Sequence, residues 1–419
     1  MKRFLDRQVG SMLVSAGAVL TKSGTQMGAP SPGGVRRILA IKLHGVGNIA
    51  LLQPALRGLQ EHFARAEVDF LTFRSNEEIL PCLGPIASAH YIDESTATRA
   101  VLSALKLIPT LRARSFDLVV DFEQFANLSA ILAMCTGARS RVGFRIPGSP
   151  RHKGFTTPVV YSDTRHMRGT FSRLAIAAGV TRPIDLSMNL RLDPNHLDEA
   201  VEFENQAGID PGDVVFVLHP GSSPNLTLRR WPAERFAALA DRLAGRHGVR
   251  VVLSGSREER GLAQRVRAEM QEECVSSVGR LSLGGLAALC GRAEAVLSSD
   301  TALVHIASAV GTPVVGLYGP NTPYLYGPTG RNDLVFYQQL PCSPCLMNIL
   351  AKVSRCRRAL CMEKIGVDEV YAGISRTYFD EKGRILPIFK RDRGGKGPKM
   401  KGVGDCPPLE SCGLTWPGI

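Results

Sequence analysis

Asp300, Thr301 and His305 lie close together in the run Ser298-Ser299-Asp300-Thr301-Ala302-Leu303-Val304-His305, at a point where the hydrophobic pattern changes. Ala293 to Leu297 is apolar and bounded by small residues, which reads as a short buried strand. Beyond the Ser-Ser-Asp-Thr cluster the apolar positions become Leu303, Ile306, Ala307 and Val310, the spacing of a helical stripe. Ser299, Asp300 or Thr301 therefore caps a helix whose first backbone amides form a ready anion site. Val314 to Tyr318 reads as a second buried strand. The segment is thus a βαβ unit with its polar residues at a strand's carboxyl end, where open α/β sheets hold ligands. Asp300 either serves such a ligand or only caps the helix.

The elements that must position these residues repeat the same arrangement. Ile38 to Ile41 is a buried strand, His44-Gly45-Val46-Gly47-Asn48 a turn, and Leu51, Ala55, Leu56 and Leu59 mark the helix behind it. Val68 to Phe73 and Ala89 to Ile92 are further strands. Phe116 to Phe122 is a strand ending in acids, Asn127 to Thr136 a helix, and Arg141 to Phe144 another short strand. His166 to Gly179 looks helical, and a polar stretch with Pro183 and Pro194 follows. The pattern then restarts with Val214 to Gly221, strand then turn, and with Trp231-Pro232 opening the helix Glu234 to Leu243. Val249 to Ser256 is strand then turn again, Glu258 to Met270 a helix, and Ser282 to Cys290 a helix leading into the first unit described. Strands alternating with helices predict parallel, doubly wound sheets. The restart divides the chain into two such α/β domains, residues 35–195 and 205–375, facing each other across a cleft. Residues 1–34 read as an extension and linker, and 390–419, rich in Gly, Lys and Pro, as a disordered tail.

With 419 residues the chain can build two substantial cores, and 44% hydrophobic with 21% charged residues is the balance of a soluble globular protein. Net charge is +13, which favours acidic partners such as nucleotide phosphates or an anionic membrane face. Aromatics are 6% and no basic stretch interleaves with them, so nucleic acid is not expected as a partner. No apolar run reaches the ~20 residues that cross a bilayer. Lys2 and Arg3 before the moderately apolar Val9 to Leu20 admit three readings: a signal peptide's apolar stretch, a segment lying on a membrane surface, or a floppy terminus. Ten cysteines are too few for a disulfide scaffold, which points to the cytoplasm. Peripheral attachment to an inner membrane goes with the second of those readings.

Several of these segments, in matching chain order, resemble motifs of the family 9 glycosyltransferases, whose best-known members are the lipopolysaccharide heptosyltransferases. They are Ile38 to Leu43 with Gly45-Val46-Gly47-Asn48 and Gln53 to Arg57, Arg229-Arg230-Trp231-Pro232, Asp300 to His305, and Gly319-Pro320-Asn321-Thr322-Pro323. The resemblance spans roughly Arg36 to Val370. It implies a GT-B fold: two Rossmann-like doubly wound domains about a central cleft, donor nucleotide-sugar on the C-terminal one and acceptor on the N-terminal one. It also implies donor binding by Asp300, Thr301, Ala302 and His305, with Ala302 where the family usually has Gly. The plain alternative for His305 is a residue packed behind the site against the next strand. Arg229 takes the place of a family lysine on the phosphates, and a guanidinium can fork onto their oxygens. Ser222 and Ser223 would donate to the diphosphate or stand solvated in a loop. Glu258 matches a family acid near the donor's ribose or sugar, or belongs to a solvated helix face.

The family carries Asp where this chain has Asn48, as base for the acceptor hydroxyl, and an amide cannot take that proton. Glu123, in Asp121-Phe122-Glu123 at the same sheet edge, is the first substitute, and His44 the second; Asp121 and Glu123 as a helix cap and a solvated acid are the plain reading. Gly45 and Gly47 complete the acceptor-side turn. The implied chemistry is inverting transfer, with charge on the leaving diphosphate met by Arg229 and the amides near Thr301. No Asp-x-Asp metal signature stands at a strand end, so no catalytic cofactor is expected. The implied donor is ADP-heptose and the implied acceptor a lipid-linked or lipopolysaccharide-core glycan. A binding protein that kept the donor pocket and lost the base, or a nucleotide-sugar epimerase, are the rival functions.

Cys342, Cys345, Cys356 and Cys361 form a cluster whose paired spacing matches four-thiolate zinc sites. A structural zinc, reduced thiols packing the segment, and an iron–sulfur or redox role are the three readings.

Overall fold

The computed structural model describes residues 6, 10–17, 32–346, 348, 354 and 356–391. Residues 21–31 of the Thr21 to Gly34 linker, the basic Lys2 and Arg3 and the tail beyond Arg391 lie outside them.

A short helix α1 (10–17) precedes the first α/β unit. That unit holds β1 (Arg37–Ile41), α2 (Val46–His62), β2 (Glu67–Phe73), β3 (Ser88–Ile92), α3 (Ala97–Ala113), β4 (Leu118–Asp121), α4 (Asn127–Cys135), β5 (Ser140–Arg145), β6 (Thr157–Val160) and α5 (Met167–Ala177). Helix α6 (Pro194–Gln206) leads to the second unit: β7 (Val214–His219), α7 (Ala233–His247), β8 (Val249–Leu253), α8 (Arg260–Glu269), β9 (Cys274–Ser276), α9 (Leu283–Arg292), β10 (Ala295–Ser299), α10 (Ala302–Ala309), β11 (Val314–Tyr318), α11 (Pro323–Tyr326) and β12 (Leu334–Tyr337). Helices α12 (Leu360–Glu363) and α13 (Val367–Tyr378) follow.

Each unit builds a parallel six-stranded sheet, in the orders β3-β2-β1-β4-β5-β6 and β12-β11-β10-β7-β8-β9. Both orders reverse direction at the centre, between β1 and β4 and between β10 and β7, which is the crevice where doubly wound sheets bind ligands. Register there pairs Ile41 with Asp121 and Ser298 with His219. Loops leaving neighbouring strands are thereby held side by side at the carboxyl edge.

The central strands are buried on both faces and accordingly read as continuous apolar runs. One apolar cluster crosses from one unit to the other: Ile49, Leu52 and Leu56 of α2 belong with Leu303, Val304 and Ala307 of α10. A second cluster fills the far side of the second sheet around Trp231, Phe236 and Phe216. The third covers the outer face of the first sheet, where α1, α3 and α4 lie over Leu39, Ile41, Leu71 and Val119. Val14 of α1 is fully buried there, and Asp6 caps α4 by accepting from the amides of Asn127 and Leu128 at 2.9 Å. Residues from the N-terminal extension are thus part of the first domain's packing.

Candidate active site

The C-terminal half of the site is the start of α10. Thr301 is its N-cap, accepting from the amide of Leu303 at 3.2 Å, while Ser298 and Thr301 share a hydroxyl contact at 2.8 Å. Capping thus falls to Thr301, and Asp300 has other partners. Its Oδ2 lies 3.1 Å from Arg229 Nη1 and accepts from Asn321 Nδ2 at 2.6 Å. Arg229 Nη1 also donates to the Asp300 carbonyl at 3.2 Å. Arg229 is 8% exposed, yet its Nε and Nη2 have no hydrogen-bond partner among the described residues. A buried guanidinium with two unused donors beside a helix N-terminus is built for an anion, because leaving such donors unmatched is costly.

Of the other sequence-selected residues, Ser223 and Glu258 are exposed, as in the solvated reading of each, and Ser222 follows neither of its two readings. Ser222 is buried and accepts from Arg230 Nε at 3.0 Å while donating to the Leu226 carbonyl at 3.3 Å, so it ties its own loop together. Ser223 is exposed at the start of the short turn Pro224–Arg229. Glu258 is exposed, and its carboxyl is held below its usual range by hydrogen bonds from its own backbone and from Ser256. Glu259 is the acid that lies against Gly221, and it accepts from the Ser256 amide at 2.8 Å in a capping box. Sequence reading missed Glu259 because four adjacent charged residues give no cue to which one turns inward. Asn321 was likewise legible only as part of a turn. Trp231 is buried with its Nε1 donating to Ile365, a core role.

The N-terminal half is the pair of loops after β1 and β4. Gly45, at φ 88°, sits where a side chain would be strained, and its turn opens α2. Gly47 is in close approach to the other domain: a Cβ there would stand 3.0 Å from the Ala302 Cα and from His305 Cδ2. His305 is itself buried between Gly47 and Tyr326. The acceptor-side turn and the start of α10 therefore share a wall. Asn48 Oδ1 is buried without a hydrogen-bond partner among the described residues.

Glu123 corrects the first expectation for a base. Its Oε2 accepts from Lys42 Nζ at 2.9 Å and from the amides of Leu43 and His44 at 3.2 and 3.1 Å. Burial alone would raise its pKa, but Lys42 and then His44 reverse this and hold it well below the ordinary carboxylate value. A carboxylate so strongly ionised and enclosed is a poor proton acceptor. It clamps the loop, and it also faces His44, whose Nδ1 lies 3.4 Å away. The His44 side chain is 60% exposed, with its ring edge-on to Phe73 at 4.7 Å.

Asp121 is also corrected. It is fully buried, accepting from Arg151 Nη2 at 2.8 Å, Ser129 Oγ at 2.7 Å and the Glu123 amide at 2.9 Å. Burial pushes its carboxyl up to about 6 against the opposing pull of Arg151. It props the loop and cannot meet an acceptor.

Cys342, Cys345, Cys356 and Cys361 line one small cavity beside Pro320. Burial raises the Cys345 thiol and pushes Cys361 up to about 11. Among the described residues no three His, Cys, Asp or Glu groups are gathered to hold a metal ion. What the segment does is brace the donor side: the amides of Cys345 and Leu346 donate to the Pro320 carbonyl at 2.8 and 2.7 Å, next to Asn321.

Two doubly wound domains, each with polar residues at the carboxyl edge of its sheet beside the switch point, make a GT-B arrangement. The model of glycosyltransferase family 9 (heptosyltransferase) matches residues 104–352, and the chain belongs to that family. It is 26% identical over 321 residues to lipopolysaccharide heptosyltransferase 1 of Pseudomonas aeruginosa, covering 74% of this chain and 86% of that protein. The crystal structure of a family 9 glycosyl transferase from Veillonella parvula superposes with a TM-score of 0.70 at 20% identity, over 85% of this chain and 99% of the other. The E. coli ADP-heptose lps heptosyltransferase II gives 0.65 at 22% identity, over 81% and 98%. These likenesses agree with the GT-B fold expected from the motifs.

Proposed function

We propose that this enzyme transfers a heptosyl group from ADP-heptose to a hydroxyl of a lipopolysaccharide-core glycan, with inversion at the anomeric carbon. The observation that carries the reading is Arg229, buried beside the start of α10 with two unused donors. Those donors and the α10 amides would hold the diphosphate and take up the charge that develops as it leaves. The names of the Pseudomonas and E. coli relatives supply the heptose, the adenine nucleotide and the lipopolysaccharide acceptor.

The proton has a route that does not need the missing acid. The acceptor oxygen forms its bond to the anomeric carbon as the bond from that carbon to the phosphate oxygen breaks, and the electron pair departs with ADP. The hydroxyl proton passes to His44 Nε2, while the ionised Glu123 orients Nδ1–H and stabilises the imidazolium, the division of labour of a histidine–carboxylate pair. His44 thereby takes the role that Asn48 cannot fill.

Thermal shift of the purified chain against ADP-, UDP-, GDP- and dTDP-sugars tests the donor. A ligand at ~100 times its Kd adds about 2.7 kcal/mol, visible in Tm. A shift confined to ADP-heptose supports the reading, followed by turnover with a core acceptor. Binding without turnover on any core acceptor would make the chain a nucleotide-sugar-binding protein instead.

A further inference from the structure

The loop after β4 keeps its polar residues inside and turns an aromatic ring outward. Asp121, Phe122, Glu123 and Gln124 are buried, whereas Phe125, next in sequence, is 37% exposed. The loop behind that ring is fixed. Lys42 Nζ donates to Glu123 Oε2 and to Gln124 Oε1, each at 2.9 Å, and α4 begins two residues past Phe125. The ring itself meets Tyr161 edge-on at 5.8 Å. Tyr161 is buried against Phe144, donates to Asp163 Oδ1 at 2.5 Å and accepts from Asn348 Nδ2 at 2.8 Å. Asn348 also donates to the Tyr326 hydroxyl at 2.7 Å, and the Tyr326 ring lies 6.3 Å from that of His305. Phe125 therefore stands at the carboxyl edge of the first sheet, on a support that reaches the second domain beside His305.

Phe73 ends β2, His44 follows β1 and Phe125 follows β4, and these three strands are neighbours in the sheet. A half-buried ring and an exposed one thus frame His44. The charges of the same loop are already matched, Glu123 by Lys42 and Asp121 by Arg151, which leaves them unavailable for an ionic group on a ligand. What the loop offers is a rigid apolar face, and such a face binds at little cost in conformational entropy. A sugar ring is its natural complement, because the C–H face of a pyranose can cover a phenyl ring while its hydroxyls stay hydrated or hydrogen-bonded. We propose that Phe125 is a stacking platform for the acceptor, holding one of its sugar rings with the reacting hydroxyl beside His44. The assignment rests on the transferase reading above and adds to it the acceptor's class: a pyranose recognised through its C–H face rather than through charge.

The test is calorimetric binding of a deacylated lipopolysaccharide-core oligosaccharide to the full chain with ADP present, alongside kcat/KM for the same acceptor. Phe125→Ala is expected to weaken fragment binding about tenfold and to lower kcat/KM by a similar factor, with the ADP-sugar thermal shift unchanged. Phe125→Trp should stay within about twofold of wild type, and Phe125→Leu, apolar but without a ring, should fall with the alanine variant. Equal binding by Phe125→Ala, wild-type binding by Phe125→Leu, or no fragment binding by wild type overturns the proposal. A donor shift that falls along with fragment binding also overturns it, because the ring then supports the site rather than the sugar. Fragment binding that depends on Phe125 in a chain that turns over no acceptor leaves the platform standing and sinks the transferase reading. Full turnover by Phe125→Ala does the reverse.

Discussion

Arg229, His44 and Glu123 have separable jobs, and single substitutions should separate them. Arg229→Ala should weaken ADP-sugar binding by roughly 10- to 150-fold, the range of a charged hydrogen bond worth about 1.5–3 kcal/mol, as read by calorimetry. Arg229→Lys should recover part of it, since a point charge remains but the fork is lost. His44→Ala should keep donor binding and lower kcat by about 10²–10⁴-fold, as read by steady-state kinetics. Glu123→Gln removes the partner of a buried ammonium, because Lys42 and Glu123 are both almost wholly enclosed. Its first effect should be on stability, about 3–5 kcal/mol in denaturant unfolding, with the kcat loss following from a misplaced His44. The sequence identified the carboxyl edge and the residue types on it. It ranked Glu123 above His44, because the ranking depends on where Lys42 points, and a lysine directly after a strand carries no sign of being turned inward.

At the scale of elements, the strands flanking the two switch points were legible from continuous apolar runs bounded by turns. Helices α3 and α6 were not. Apolar residues on both sides of α3 erase the one-sided period that marks a surface helix, and Pro109 inside it reads as a breaker. Helix α6 opens with Pro194 at its first turn, behind the Asp193 cap, and is polar enough to pass for a linker. Edge strands β6 and β12 are short and half-exposed, so they too lack the central strands' signature. The Gly47 approach was invisible for a different reason: it joins elements from two domains. Gly47→Ala should force α2 and α10 apart by a few tenths of an ångström, costing about 1–3 kcal/mol and lowering turnover more than donor affinity, measured by paired unfolding and steady-state kinetics.

Across the whole molecule, pH enters through buried groups far from each other. His166 is partly buried at the domain boundary, its Nε2 3.1 Å from the Gly327 carbonyl, and desolvation pushes it down to about 3. The unfolded chain binds this proton near 6.5, so the stability tied to neutral His166 is complete above that value and is lost as pH falls toward 3. Asp121 acts in the opposite sense. Its contribution is present below about 3.8 and lost as pH rises through about 6. Between pH 7 and 5, therefore, the Tm difference between wild type and His166→Gln should shrink steadily, whatever the other groups do. A difference that stays constant over that range would mean His166 is charged in the fold.

The wall shared by Gly47, Ala302 and His305 has a thermodynamic consequence. Two ligands that each press on the same few atoms from opposite sides are not independent tenants. If the filled nucleotide pocket changes acceptor affinity by some factor, the acceptor must change nucleotide affinity by that same factor, because the cycle closes. Donor titrations run with and without a non-reactive acceptor fragment should therefore give two dissociation constants whose ratio is matched by the reciprocal experiment. Gly47→Ala, by prising the wall open, should move that ratio toward one.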